Sequence, residues 1–209
     1  MGLLIAVFIG QRGEAMKIYG PKDGIARAFN ARLGPGWDVA PGGSAGDNCA
    51  RIWNENLLQK IRDAVKALPS HCEAWAMYGY TDIGDRGSDQ KTQMQRQGWE
   101  QTLLRWLATK VYSSPRYSDV RALEAMDGYA VLLMVLRDTR ATQYGGKNIY
   151  SMADLAAAIG VDRSQFTRSR HWGGFVEVAL DATDEITRET LAPVSVVVDE
   201  INCLGSNAA

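Results

Sequence analysis

A chain of 209 residues with 46% hydrophobic and 22% charged side chains is long enough to bury a sizeable core and too apolar to be disordered throughout. The net charge of −1 says nothing of partners by itself, but it is unevenly spread: residues 1–85 carry 9 basic and 9 acidic groups, residues 86–172 carry 13 and 8, and residues 173–209 carry 1 and 7. Three cysteines (Cys49, Cys72, Cys203), odd in number and without a C-x-x-C pair, argue against a zinc ribbon or a disulfide framework and fit a reducing cytoplasm.

The opening "MGLLIAVFIG" is too short to span a bilayer and has no basic residues ahead of it, so neither a membrane anchor nor a secretory signal is expected. Met16 would be a more usual start, and residues 1–15 read as an upstream extension or a buried strand. Ile25, Ala28, Phe29 and Leu33 then fall at helical spacing, predicting a short helix over about 22–33. "GPGWDVAPGGSAGD", residues 34–47, holds five glycines and two prolines and must be loop. It lacks the Lys-Ser/Thr pair of a phosphate-binding P-loop, so a surface loop is the better reading.

In the next segment Ile52, Leu57, Leu58, Ile61, Val65 and Leu68 share a helical face, with Asp47 as its N-cap and Pro69 just past its end. "CEAWAMYGY" reads as a nearly all-apolar core helix rather than an aromatic stacking platform. Asp82, Asp85 and Asp89 lie in the hydrophilic link 81–93. Their intervals match no cation loop and no Glu or His completes a set, so a solvated loop is favoured over a metal-dependent nuclease site. His71 stands beside Cys72 but far from His171, which is poor spacing for a metal site; no metal or other cofactor is expected, nor enzymatic activity.

A helix over about 92–112 places Trp99, Leu103, Trp106, Leu107 and Val111 inside and Arg96, Arg105 and Lys110 outside. A strongly apolar helix over about 116–140, carrying the run Val131 to Leu136, should sit at the centre of an all-α core, with Arg116, Arg121, Arg137 and Arg140 near its ends.

After Gly145-Gly146 comes "SMADLAAAIGVDRSQFTRSRHW", residues 151–172, which has the make-up of a helix-turn-helix. Such a motif needs a small residue where the second helix approaches the first, a glycine at a left-handed turn, and apolar residues pinning the pair. Aligning Gly160 with the turn puts Leu155 and Ala156 at the packing sites and Ile159 and Val161 around the glycine. Asp162 falls at the second helix's cap and Phe166 at its inward anchor. Arg163, Ser164, Gln165, Thr167 and Arg168 then face outward as DNA contacts, with Arg170 and His171 near the helix end. Ser169 departs from the pattern, since an apolar residue usually closes the seam there; Trp172, Phe175 and Val176 can supply it one turn later. The competing reading is a scaffold helix pair without base contacts.

The helix is expected to end near Ala182, and Pro193 to open a strand or extended arm over Val194 to Val198 within an acidic tail. The expected organisation is an N-terminal extension (1–21), a helical core (22–148), a helix-turn-helix module (149–182) and an acidic tail (183–209), in a mainly α fold.

"LPSHCEAWAMYGYTD" (68–82), "GWEQTLLRWLATKVYSSPRYSD" (98–119) and "MADLAAAIGVDRSQFTRSRHWGGFVEVALDA" (152–182) resemble, in that order, the phage late-gene antitermination proteins of the Q type. That resemblance implies a small helical protein of the bacterial host's cytoplasm. It would bind double-stranded DNA at a late promoter and load onto paused RNA polymerase, so that terminators are ignored. Some members carry a cysteine-ligated zinc module, which the missing C-x-x-C puts in doubt here. "IGVDRSQFTRSRHW" also looks like the DNA-reading unit of tetracycline-repressor-type regulators, although those carry it near the N-terminus. The alternative function is therefore a repressor or activator that dimerises through the helix around 116–140, and a homo-oligomer remains compatible with the sequence.

Overall fold

The computed structural model describes residues 17–29, 45–83, 89–115, 125–143, 148–168 and 170–206, and its regular structure there is mainly α-helical, with no strand among the described residues. In chain order the helices are α1 (Pro21–Phe29), α2 (Ala45–Lys66), α3 (Ser70–Tyr80), α4 (Gln90–Tyr112), α5 (Ala125–Gln143), α6 (Met152–Ala158), α7 (Arg163–Arg168) and α8 (Arg170–Ser206). The chain divides into two compact units, residues 1–68 with 190–209, and residues 69–189.

In the first unit, Gly20 adopts φ +135° and accepts the first helical bond of α1, and Pro21 follows at the position where its missing N–H costs nothing. Asp23 accepts from the Tyr19 amide at 2.9 Å and pairs with Arg27 one turn on at 2.8 Å. Arg62 of α2 donates to the Ala28 carbonyl at 2.6 Å, satisfying the C-terminal end of α1. Leu57, Leu58, Ile61 and Val65 form the buried face of α2 as the spacing predicts, but Ile52 at the start of that face is 57% exposed. Asp47, expected as the N-cap, lies inside α2, which begins at Ala45. Asn202 holds the start of the described chain with both halves of its amide, accepting from Ile18 N at 3.2 Å and donating to Ile18 O at 3.0 Å.

The second unit is built around α3, in which every residue from Ala74 to Tyr80 is buried. Such a helix has no solvent face to spare, so its polar atoms must find partners inside. Trp75 Nε1 donates to Thr187 Oγ1 at 3.0 Å, and Tyr78 OH donates to Glu100 at 3.0 Å. Arg140 donates to the Tyr78 and Thr81 carbonyls, closing the C-terminal end of α3. Burial and the Glu100 carboxylate together push the Tyr78 phenol well above its usual range. Leu107, Val111, Val131, Leu132 and Val135 continue the core and join the residues of α6, α7 and α8 described below. The aromatic segment is thus core, as its composition implies.

The C-terminal region departs from the sequence expectation. Neither a helix end near Ala182 nor a strand over 194–198 is found; α8 runs through both and contains Pro193. A strand would put Val194, Val196 and Val198 on one face. Instead Val194 and Val198 are buried while Val196 is 59% exposed, and Thr190 and Ile201 complete a stripe at helical spacing. Burial of that stripe outweighs the β preference of valine and the hydrogen bond that proline deletes. The apolar N-terminal run "LLIAVFIG" lies outside the described residues.

Candidate nucleic-acid interface

The segment 151–168 folds through local chemistry that can be followed bond by bond. Ser151 caps α6 in a reciprocal box: its Oγ accepts from Asp154 N at 3.3 Å, and the Asp154 carboxylate accepts from Ser151 N at 2.7 Å. Hydrogen bonds from the Ser151 hydroxyl and amide hold the Asp154 carboxyl below its ordinary value. At the other end Val161 N donates to Ala156 O and Gly160 N to Ala157 O, both at 3.1 Å, which is the paired closure of a Schellman turn. Gly160 supplies the left-handed residue this closure needs, at φ +68°. A Cβ there would meet nothing within 4 Å, so glycine is required by the backbone angle and not by space.

Asp162 then opens α7, its carboxylate accepting from Ser164 N at 2.7 Å and its carbonyl from Phe166 N at 2.9 Å. Leu155, Ala156 and Phe166 are buried together with Trp172, Phe175 and Val176. Phe166 stacks on Trp172 with ring centroids 5.6 Å apart, and Trp172 meets Phe175 edge-on at the same distance. Trp172 and Phe175 of α8 thus close the apolar seam around Phe166, and Ser169 lies outside the described residues. Ala156, 1% exposed, occupies an inward site where a larger side chain would have to displace its neighbours.

The predicted outward residues divide between two helices. Arg163 and Ser164 stand exposed on the first turn of α7, although the Ser164 hydroxyl donates to Asp162 Oδ1. Gln165, Thr167 and Arg168 belong to α7, and Arg170 and His171 to the first turn of α8; the side chains of these five lie outside the described residues. α7 is described over Arg163–Arg168 and α8 from Arg170 onward, and Ser169 between them lies outside the described residues. From 163 to 171 the chain carries three arginines and no acid.

Other basic residues of the middle region serve the fold. Arg137 binds Glu100 at 3.0 Å, which raises its guanidinium pKa. Arg96 and Arg140 lie over the Tyr78 ring at 5.3 and 5.4 Å, and Lys110 reaches Glu185 at 2.6 Å. Asp89 is the N-cap of α4, its carboxyl held low chiefly by the Thr92 amide; Asp82 is exposed, and Asp85 lies outside the described residues. The Ser-x-x-Asp capping box of α6 is a signal legible in the sequence that the reading by apolar spacing passes over.

No protein-family model matches this chain, and neither does any curated protein or solved structure. No described helix is long and apolar enough to cross a membrane.

Proposed function

We propose that residues 151–172 form a helix-turn-helix that reads double-stranded DNA, and that the protein regulates transcription. The supporting observation is the Gly160 turn with its Schellman closure and the packing of Ala156, Phe166 and Trp172 beneath it. Together they fix α7 against α6 while leaving the Arg163 end exposed. The N-terminal residues of a recognition helix are those that reach base edges, and arginine is the side chain that forks guanine. Arg163, Ser164, Gln165, Thr167 and Arg168 would make base and nearby phosphate contacts, with Arg170 and His171 on the flanking backbone.

Within that reading the protein acts in the cytoplasm of a bacterial host as a phage antitermination factor that engages RNA polymerase. The support is the resemblance of residues 68–82, 98–119 and 152–182 to the Q-type proteins. Transcription in vitro from a promoter carrying the binding site, with a terminator downstream, tests it. Antitermination predicts readthrough that rises with added protein at constant initiation. Falling initiation with unchanged readthrough would replace this reading by that of a dimeric repressor, whose operator should be palindromic with half-sites about one helical turn apart.

A further inference from the structure

We propose that His71, Cys72 and Glu189 bind one zinc ion. Both elements lie in the unit of residues 69–189: His71 and Cys72 are the second and third residues of α3, and Glu189 comes from α8. His71 Nε2 is 3.5 Å from Glu189 Oε2, Cys72 Sγ is 3.8 Å from the same oxygen, and one donor atom from each residue lies within 4.8 Å of the others. Zinc bonds of ~2.0–2.3 Å in a tetrahedron place neighbouring donor atoms roughly 3.3–3.7 Å apart. Two of the three separations are therefore close to a coordinated arrangement, and the third, within 4.8 Å, needs a shift of at most about 1 Å.

The chemistry of the donors selects the metal. A thiolate with an imidazole is too soft a pair for magnesium or calcium, and with a carboxylate it makes a common zinc set. Cys72 is 1% exposed, whereas the His71 and Glu189 side chains are 25% and 47% exposed, so the ion would enter from the solvent side and seat against the sulfur. Zinc displaces the thiol proton to solvent, leaving thiolate, carboxylate and neutral imidazole around a dication, a neutral set with water in the fourth position. His71 stacks on Trp106 at 5.2 Å between centroids and 10° between planes, which orients the ring. The competing account is an ion pair and a weak S–H···O bond, and the two differ in a measurable way.

Cobalt replaces zinc in such sites and reports thiolate ligation by a charge-transfer band in the near ultraviolet. The full chain should take up one cobalt equivalent with that band and release it to zinc. Cys72→Ser should abolish the band, Glu189→Gln should weaken metal binding roughly tenfold or more, and Cys203→Ser should change neither. Glu189→Gln sits at an exposed position and keeps the test decisive if Cys72→Ser disturbs the core. Absence of the band in the wild type, its survival in Cys72→Ser, or unaltered affinity in Glu189→Gln would overturn the proposal.

Discussion

The α6–α7 turn and the last part of α8 are specified in opposite ways. From Ser151 to Phe166 local signals and final structure agree: a capping residue, a glycine at positive φ, an aspartate opening the next helix and one aromatic anchor. Beyond Pro193 the local signals, a proline followed by β-branched residues, argue for a strand, and burial of Thr190, Val194, Val198 and Ile201 overrides them. Where a short segment is held by capping bonds, its conformation can be read residue by residue. Where a stripe of apolar residues is held by packing, it takes the structure that buries the stripe.

The sharpest way to break this comparison is to remove the largest side chain of α7 through which the turn does depend on packing. Phe166→Ala should destabilise the second unit by about 3–5 kcal/mol, because a fully buried ring is lost beneath Trp172. Denaturant unfolding checks it, and a loss under 1 kcal/mol would mean that capping alone holds the segment.

Pro193→Ala probes the other region. Restoring an amide inside α8 should stabilise the protein by on the order of 1–3 kcal/mol with unchanged helix content, read by thermal unfolding and circular dichroism. A destabilised variant would show that the proline conformation is required and that α8 is not continuous there.

Legibility followed the same division. The buried faces of α2, α4 and α5 were readable from periodicity because Leu57, Leu58, Ile61, Leu103, Leu107 and Val131 repeat at helical spacing. Ile52 was not, since the same spacing extends past the point where a neighbour covers it. Within the candidate DNA-reading segment, Ala156, Gly160 and Phe166 were legible because each meets a local steric demand. The convergence of Cys72 with Glu189, 117 positions away, carries no local signal at all. The roles of Arg137 and Arg140 were hidden for the same reason: charge at a helix end looks alike whether it meets solvent or a buried carbonyl.

The smallest effect sharpens the account of the α6 cap. The Asp154 carboxyl has a lowered pKa when folded, so its stabilisation is complete above the ordinary value of 3.8 and fades as the pH falls through the folded value. Amide exchange at Ser151 and Asp154 should therefore accelerate in acid beyond the intrinsic rate change. Asp154→Asn should remove that extra acid dependence; if it persists, another group titrates there.

The central claim is that residues 151–172 read DNA, and the binding of the full chain to its best DNA site across a salt series tests it most directly. Arg168→Ala should weaken binding and flatten the slope of log K against log salt by about one contact, and Gly160→Val should abolish binding while the helical signal of the core is largely retained. Unchanged affinity and slope in both variants would contradict the account.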